Sequence, residues 1–528
     1  MTLHRTGKSL VLLVLSLCAA AALPAGPCRA DDYLDRVNAQ FKSIPEEKRS
    51  DLKVLPLLAD MTDPPAVLGS QKHAALLGFS GPGWAECKAW AQAAPQKALI
   101  DVLPTITSDQ DTQKGFAFGQ PYGVEGVPLD LIKKGMYTDL DDPPLLSWAR
   151  HLYMPAMERF GVLVQVEASR LAEAGDASAA IDLMIRWLYF CRQMADRPFL
   201  AEKEWAMDSI SLAIMRIRDL AYGDFRAEKH SLDAAKVVDI IKKLKNKGGV
   251  IAIDRIRPPE ANFVGKEQLI HEIMVPTGGP NPDNFATTMA RITSLERPLR
   301  LFSSAAYWEQ IRGSHAGTLE TQKLLAQIHD DWYQRWDLSY FDPVLHNKTD
   351  YQLKVAGKAK FAVLQAKVSD IEGLFETRQI MKVELAGTRA GLGVYGYFLR
   401  QGAQPQYLPP SLDALRPDFT DHGPVEVDPY SSKKWDIQYF LISRDEPRGP
   451  NGEIRQHRIK LFPPEPEPRF DVPLGSDQFI LYSVGPDDDK GSAVSATQAR
   501  RGVGGDYLLW PPALSLYRKR LIETDALK

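Results

Sequence analysis

Residues 381–402 read MKVELAGTRAGLGVYGYFLRQG, and this stretch decides how the chain is divided. Met381, Leu385, Leu392, Tyr395 and Leu399 recur at three-, four- and seven-residue spacing, which is one apolar stripe of a helix that Gly402 ends. Upstream the helical pattern extends to about residue 351, with a break expected near Gly373. Downstream the composition changes. Residues 435–442, 454–462, 478–484 and 507–510 are rich in β-branched and aromatic side chains and bounded by turn residues, which predicts four strands of a small antiparallel sheet. Between two of them, residues 463–468 (PPEPEP) read as an extended linker. A helix with one apolar face followed by short strands predicts a long helix packed on a sheet, a small α+β domain over residues 351–528. A fragment beginning at Tyr351 is expected to fold, whereas one beginning at Tyr407 would lack the surface on which the sheet packs.

The same period runs through residues 145–350, the expected helical body. Phe160, Leu163, Val164, Ala168 and Leu171 form one stripe, and Ile181, Met184, Leu188, Cys191 and Ala195 form the next. Ala174-Gly175-Asp176 divides them into a hairpin. A third helix carries Ile210, Ile214, Ile217 and Ala221, and a fourth is expected from Ser231 to Gly248. Residues 319–336 predict a further amphipathic helix. The aromatic cluster Trp332, Tyr333, Trp336, Tyr340 and Phe341 reads either as inter-helix packing or as the lining of a ligand groove. Residues 31–144 are irregular, short helical runs punctuated by proline and glycine. The expected fold class is mainly α, a helical N-terminal and central body followed by the small α+β domain.

The first thirty residues follow the plan of a secretory signal peptide. His4, Arg5 and Lys8 precede the apolar run 10–22, Pro24 breaks it, and Cys28-Arg29-Ala30 offers a cleavage site before Asp31. The run is shorter than the roughly 20 residues that a spanning helix needs, which favours cleavage over a retained anchor and places the mature chain, with no integral membrane segment, in the periplasm or at the cell surface. Cleavage leaves Cys87 and Cys191, which are candidates for a disulfide in an oxidising compartment or for two buried thiols. With 64 basic against 67 acidic side chains, the net charge gives no argument for nucleic acid. The basic cluster 242–247 sits at the end of a predicted helix, where cations complement the dipole.

Five sequence words follow one another in the last quarter of the chain: the amphipathic helix, Tyr407-Leu408-Pro409-Pro410-Ser411-Leu412-Asp413-Ala414-Leu415, Asp428-Pro429-Tyr430, Phe479-Ile480-Leu481-Tyr482-Ser483-Val484-Gly485-Pro486-Asp487, and Gly504-Gly505-Asp506 with Trp510. In this order they resemble the globular head of the type II secretion major pseudopilin, over roughly residues 376–512. The resemblance implies a calcium-holding loop, with Asp487 and Asp506 at the matching positions and Asp489 and Asp488 as nearby candidate ligands. Arg500 and Arg501 offer the alternative of neutralising those carboxylates without a metal. The chain departs from the family at its start, where an ordinary signal replaces the prepilin peptidase site, and in a longer insertion after Pro429. The whole chain also resembles a group of planctomycete-type exported proteins, which implies no activity.

Catalytic signatures are sparse. His271-Glu272 begins like a zinc protease motif, but Val275 stands where the second histidine belongs. Gly78-Phe79-Ser80-Gly81 has the wrong spacing for a nucleophile elbow, and no glycine-rich phosphate loop is present. His329-Asp330-Asp331 reads as a solvated helix face more readily than as a catalytic trio, because adjacent helical residues diverge. The sequence therefore predicts a non-enzymatic exported envelope protein that mediates protein contacts, linked to secretion or surface assembly. The alternative is a periplasmic hydrolase with a carboxylate-based site in the helical body.

Overall fold

The computed structural model describes residues 30–79, 81, 83–107, 115–295, 298–366, 371–419, 426–462, 469–497 and 505–526. The signal-like residues 1–29, the linker 463–468, Arg500, Arg501 and Gly504 lie outside the described residues. The helices that organise the fold are α1 (Ala30–Lys42), α2 (Gln71–Leu77), α3 (Trp84–Ala91), α4 (Met154–Glu173), α5 (Ala177–Ala195), α6 (Leu200–Arg226) and α7 (Ala234–Lys243). They are followed by α8 (Glu260–Ile273), α9 (Phe285–Thr293), α10 (Leu301–Arg312), α11 (Thr318–Trp336), α12 (Glu372–Arg400) and α13 (Ala513–Glu523).

The expected hairpin is α4 and α5. Gly175 takes a left-handed φ of 80° at the reversal, and the Asp176 side chain accepts the Ala179 N–H to start α5. Phe160, Trp187 and Phe190 interlock between the two helices, with ring centroids 5.0–5.8 Å apart. Helix α6 then packs along α5. Helix α7 starts two residues later than expected, because Asp233 caps it by accepting the Lys236 N–H. Ser231 is used instead to accept the Ala177 N–H of α5.

Helix α12 is the long helix read from residues 381–402, and it begins at Glu372 because the chain upstream is broken into separate short turns. Four glycines bring its neighbours close. A Cβ on Gly387 would overlap the Leu509 methyls, and Gly391 faces the Trp510 ring. On the remaining faces α12 packs against α6 and α7. Its apolar stripe is thus only part of its buried surface, and the helix joins the body to the sheet.

The sheet has six strands: β1 (Gln438–Leu441), β2 (His457–Phe462), β3 (Phe470–Leu474), β4 (Phe479–Ser483), β5 (Ser495–Thr497) and β6 (Asp506–Trp510), in the order β1-β4-β6-β5-β2-β3. The four expected strands are all present. The β1-β4, β4-β6 and β2-β3 pairs are antiparallel as expected, and the short strand β5, inserted between β6 and β2, runs parallel to both. The pattern also missed β3, which carries Pro473; as an edge strand it tolerates a residue that cannot donate to a ladder. Strand β4 is buried on both faces. Phe479 and Leu481 join the large core shared with the helices, and Ile480 and Tyr482 join a smaller core behind the sheet with Ile459 and Leu516.

One buried polar junction ties α6, α12 and β6 together. Arg218 lies 2.6 Å from Glu384, with both side chains at most 2 % exposed, and donates from Nη1 to Thr388 Oγ1 at 2.8 Å. The Tyr507 hydroxyl donates to the same carboxylate. The Arg218–Glu384 contact is close but off the N–H axis, so it acts as an ion pair more than as a hydrogen bond. Among the described residues, no helix is long and apolar enough to cross a membrane.

Candidate functional site

The chain enters α8 through Pro258 and Pro259, and Glu260 occupies the first helical turn, where a carboxylate complements the helix dipole. This corner is pinned to the start of α6. Ala261 donates its N–H to Pro198 O at 3.0 Å, and Asn262 Oδ1 accepts the Leu200 N–H at 2.7 Å. Across from it runs α11, whose Ile328, His329, Trp332 and Tyr333 face Leu200, Pro259 and Phe263 over an apolar slot of about 60 Å³.

At the rim of the slot the polar groups converge on Glu260. His329 Nε2 lies 3.2 Å from Glu260 Oε2, and the Tyr333 hydroxyl donates to that same oxygen at 2.7 Å. Arg36 of α1 donates to Glu260 Oε1 at 3.2 Å and to Glu267 at 2.6 Å. The His329 hydrogen bond, aided by Tyr333 and Arg36, holds the Glu260 carboxyl down at about 2 despite partial burial. Burial and then Glu260 itself push the Tyr333 phenol above the ordinary tyrosine range. The His329 ring is sandwiched, 4.0 Å from the Phe263 centroid and 4.3 Å from that of Tyr333. The result is an ionised carboxylate and an oriented imidazole beside a small apolar recess, a shape suited to gripping one side chain.

The aromatic cluster of the sequence thus divides. Trp332 and Tyr333 line the slot. Trp336 is core, donating from Nε1 to Ile256 O at 2.7 Å and covered by the Arg378 guanidinium. Tyr340 packs on Tyr430 of the sheet domain at 4.9 Å, with Phe341 against it. The trio His329-Asp330-Asp331 does not act as a unit: His329 turns Nε2 to Glu260 and has Nδ1 3.7 Å from the exposed Asp330, whereas Asp331 pairs with Arg335 at 2.9 Å. Glu260 and Arg36 were missed by sequence reasoning, since only folding brings α1, α8 and α11 together. The double proline before an acidic first turn was the one local signal.

The residues of the aspartate loop fall close in space, but each carboxylate already has donors. Asp506 accepts N–H groups from Gly491 at 3.1 Å and Ala493 at 2.6 Å. Asp487 accepts from Gly505 at 2.6 Å, Asp488 turns to Ser432, and Asp489 accepts from Lys490 at 2.8 Å. Burial raises Asp506 to about 6, with Asp487 and Asp489 adding to the rise against the pull of the two N–H groups. Among the described residues, no three acidic, imidazole or thiol groups gather as a metal cage. Two of the resembling words do meet: Asp428 accepts the Tyr430 N–H at 2.9 Å, the Ser483 hydroxyl at 2.8 Å and the Val484 N–H at 2.8 Å.

Cys87 and Cys191 are both free, buried thiols, so the disulfide alternative is not realised. Their helices explain it: α3 packs on α4, while the Cys191 thiol interacts with Ser209 of α6. On α6, Glu204 and Asp208 stand one turn apart, and both carboxyls are raised, first by partial burial, with Asp208 adding to the rise of Glu204 and Glu158 adding to that of Asp208 against the pull of Lys72.

No family model, curated protein or solved structure matches the chain. The functional reading therefore rests on its own residues.

Proposed function

We infer that the protein is a non-enzymatic exported envelope protein whose helical body makes contacts with protein partners, in secretion or surface assembly. The observation that carries this is the size and chemistry of the slot between α8 and α11. Sites for whole small molecules run to roughly 300–1,000 Å³, whereas about 60 Å³ with an apolar floor and polar edges at His329, Tyr333 and Asn262 suits one side chain of a partner. Contact surfaces concentrate their energy in such recesses, filled by a single anchor residue. A pull-down from the envelope fraction tests the reading. Wild-type protein should retain a partner that Phe263→Trp, which fills the slot from its wall, does not retain at an unchanged melting temperature. Equal capture by both proteins would defeat it. The exported address is tested separately: N-terminal sequencing of periplasmic protein should begin at Asp31, and intact Met1 in a membrane pellet would contradict export with cleavage.

Calcium at Asp487, Asp489 and Asp506 belongs to the same reading through the pseudopilin resemblance. What supports it is that Asp487 and Asp489 add their repulsion to the rise that burial gives Asp506, an addition that a divalent cation would relieve. These aspartates would supply the oxygen ligands, and the ion would brace the loop.

The raised pair Glu204 and Asp208 favours a second reading, a periplasmic hydrolase with its site in the helical body. A screen of chromogenic glycoside and ester substrates decides it: turnover that Asp208→Asn abolishes would establish this reading, and no turnover would dismiss it.

A further inference from the structure

A second concavity of about 490 Å³ opens on the seam where α6 faces the edge strand β3 and the last helix, α13. Its size lies within the range of small-molecule sites, and its charge is one-sided. Arg216, Arg226, Lys229, Arg518 and Lys519 line it, against Asp219 and Asp224. Asp224 is engaged elsewhere, accepting the Ser231 and Leu232 N–H groups and the Tyr395 hydroxyl. Arg226 is likewise turned outward to Asp477 at 2.9 Å, and Lys519 lies 3.8 Å from Glu523.

At the floor, two guanidiniums share one carboxylate. Arg518 donates to Asp219 Oδ1 at 3.0 Å and Oδ2 at 2.9 Å, and Arg216 and the Ser515 hydroxyl also donate to Asp219. Arg518 is held in place from its other side, donating to the carbonyls of Ala75 and Leu76 at the end of α2. Arg216 is 2 % exposed, and its Nε finds no hydrogen-bond partner among the described residues. One carboxylate balances only one of the two cations, so a positive charge is left at the floor of a partly buried cleft, where it is felt more strongly than in water. Burial above all, with the adjacent Arg518 adding to it against the pull of Asp219, brings Arg216 down to about 10. The walls are apolar, with Phe79, Leu220 and Leu516 facing the opening.

We propose that this seam cleft binds a small organic oxyanion, a phosphate or carboxylate head against Arg216 and Arg518 with an apolar body along Phe79 and Leu516. The occupant touches the helical body through α6 and the sheet domain through β3 and α13, so binding stabilises the junction between them. This site is independent of the slot between α8 and α11 and of the partner-contact reading.

Calorimetric titration of the full mature chain with octyl phosphate, octanoate and inorganic phosphate, each below any micellar concentration, tests the site. At least one octyl compound should bind saturably at one per chain, about tenfold or more tighter than inorganic phosphate, because only it fills the apolar wall. The tighter of the two octyl compounds identifies the head group. Lys229→Ala/Lys519→Ala changes exposed residues only and should weaken binding severalfold without altering the melt of the free protein. Phe79→Ser should weaken the octyl compounds and leave inorganic phosphate unchanged. Saturable binding by none of the three ligands, or binding that the lysine double variant and Phe79→Ser both leave unchanged, overturns the proposal.

Discussion

Replacing Glu384 by alanine should destabilise the protein by about 3–5 kcal/mol, the usual cost of removing one partner from a buried ion pair. The figure follows from what is left behind. Arg218 keeps its hydrogen bond to Thr388 and its packing, but its charge would stand at 2 % exposure with no carboxylate, and its Nε already lacks a partner. The Tyr507 hydroxyl would lose its acceptor as well, a loss of about 1–3 kcal/mol for a buried group that partly overlaps the first. Glu384→Gln retains an acceptor for Tyr507 and removes only the charge, so it should fall between wild type and Glu384→Ala. The double variant Arg218→Met/Glu384→Leu removes both charges and should recover the part of the loss due to the stranded cation, because an apolar pair of similar volume avoids the desolvation of both ions, while the Tyr507 hydroxyl stays without its acceptor. Urea unfolding followed by tryptophan fluorescence and far-ultraviolet circular dichroism gives the values, and the two signals should move together because Arg218 and Glu384 join the body to the sheet. A loss below about 1 kcal/mol for Glu384→Ala, or a double variant worse than either single one, would refute the view that this pair locks α6, α12 and β6.

Asp506 should make the sheet domain more stable in mild acid. Its folded value of about 6 lies above the ordinary 3.8, so its favourable contribution is complete below the unfolded value and is lost as pH rises through 6, about 1 kcal/mol of it between pH 5 and pH 7; melts that worsen on acidification over that range would contradict the assignment. If calcium binds the loop with a dissociation constant near 0.1 mM, 1 mM calcium should add about 1.4 kcal/mol, and the gain should vanish with a chelator and in Asp487→Ala; an unchanged wild-type melt would remove calcium from the account. Gly387→Ala should destabilise, since overlap with Leu509 costs roughly 1–3 kcal/mol against a helix gain of about 1; a raised melting temperature would show that the sheet can move away. A fragment of residues 351–528, expected from the sequence pattern to fold by itself, should instead melt broadly, because it exposes the face of α12 that α6 and α7 cover; a sharp transition matching the full chain would bear out the sequence expectation.

The helical hairpin, the third helix and α12 were legible because their stripes repeat at helical spacing over many residues. What periodicity could not convey was how much of α12 is buried. Its glycines at 387 and 391 read as weak points in a helix, whereas they are the places where Leu509 and Trp510 approach. Strands β3 and β5 were lost for local reasons, a proline in one and three-residue length in the other. The functional slot was half visible. Trp332 and Tyr333 stood out as aromatics, and His329 read as part of a solvated face, since its partner Glu260 lies in another helix and carries no local mark of the pairing. The seam cleft was invisible for the same reason: Arg216, Asp219 and Arg518 are ordinary surface-type residues until α6 and α13 are brought together.

The central claim is that the recess between α8 and α11 receives a side chain from a protein partner. It is tested most directly by placing a photo-reactive amino acid at Tyr333 in cells and irradiating the intact envelope. The account predicts a discrete protein adduct that is absent with the probe at exposed Asp525 and lost when Phe263→Trp fills the slot. A probe at Tyr333 that yields no protein adduct, or one that persists unchanged in Phe263→Trp, would contradict it.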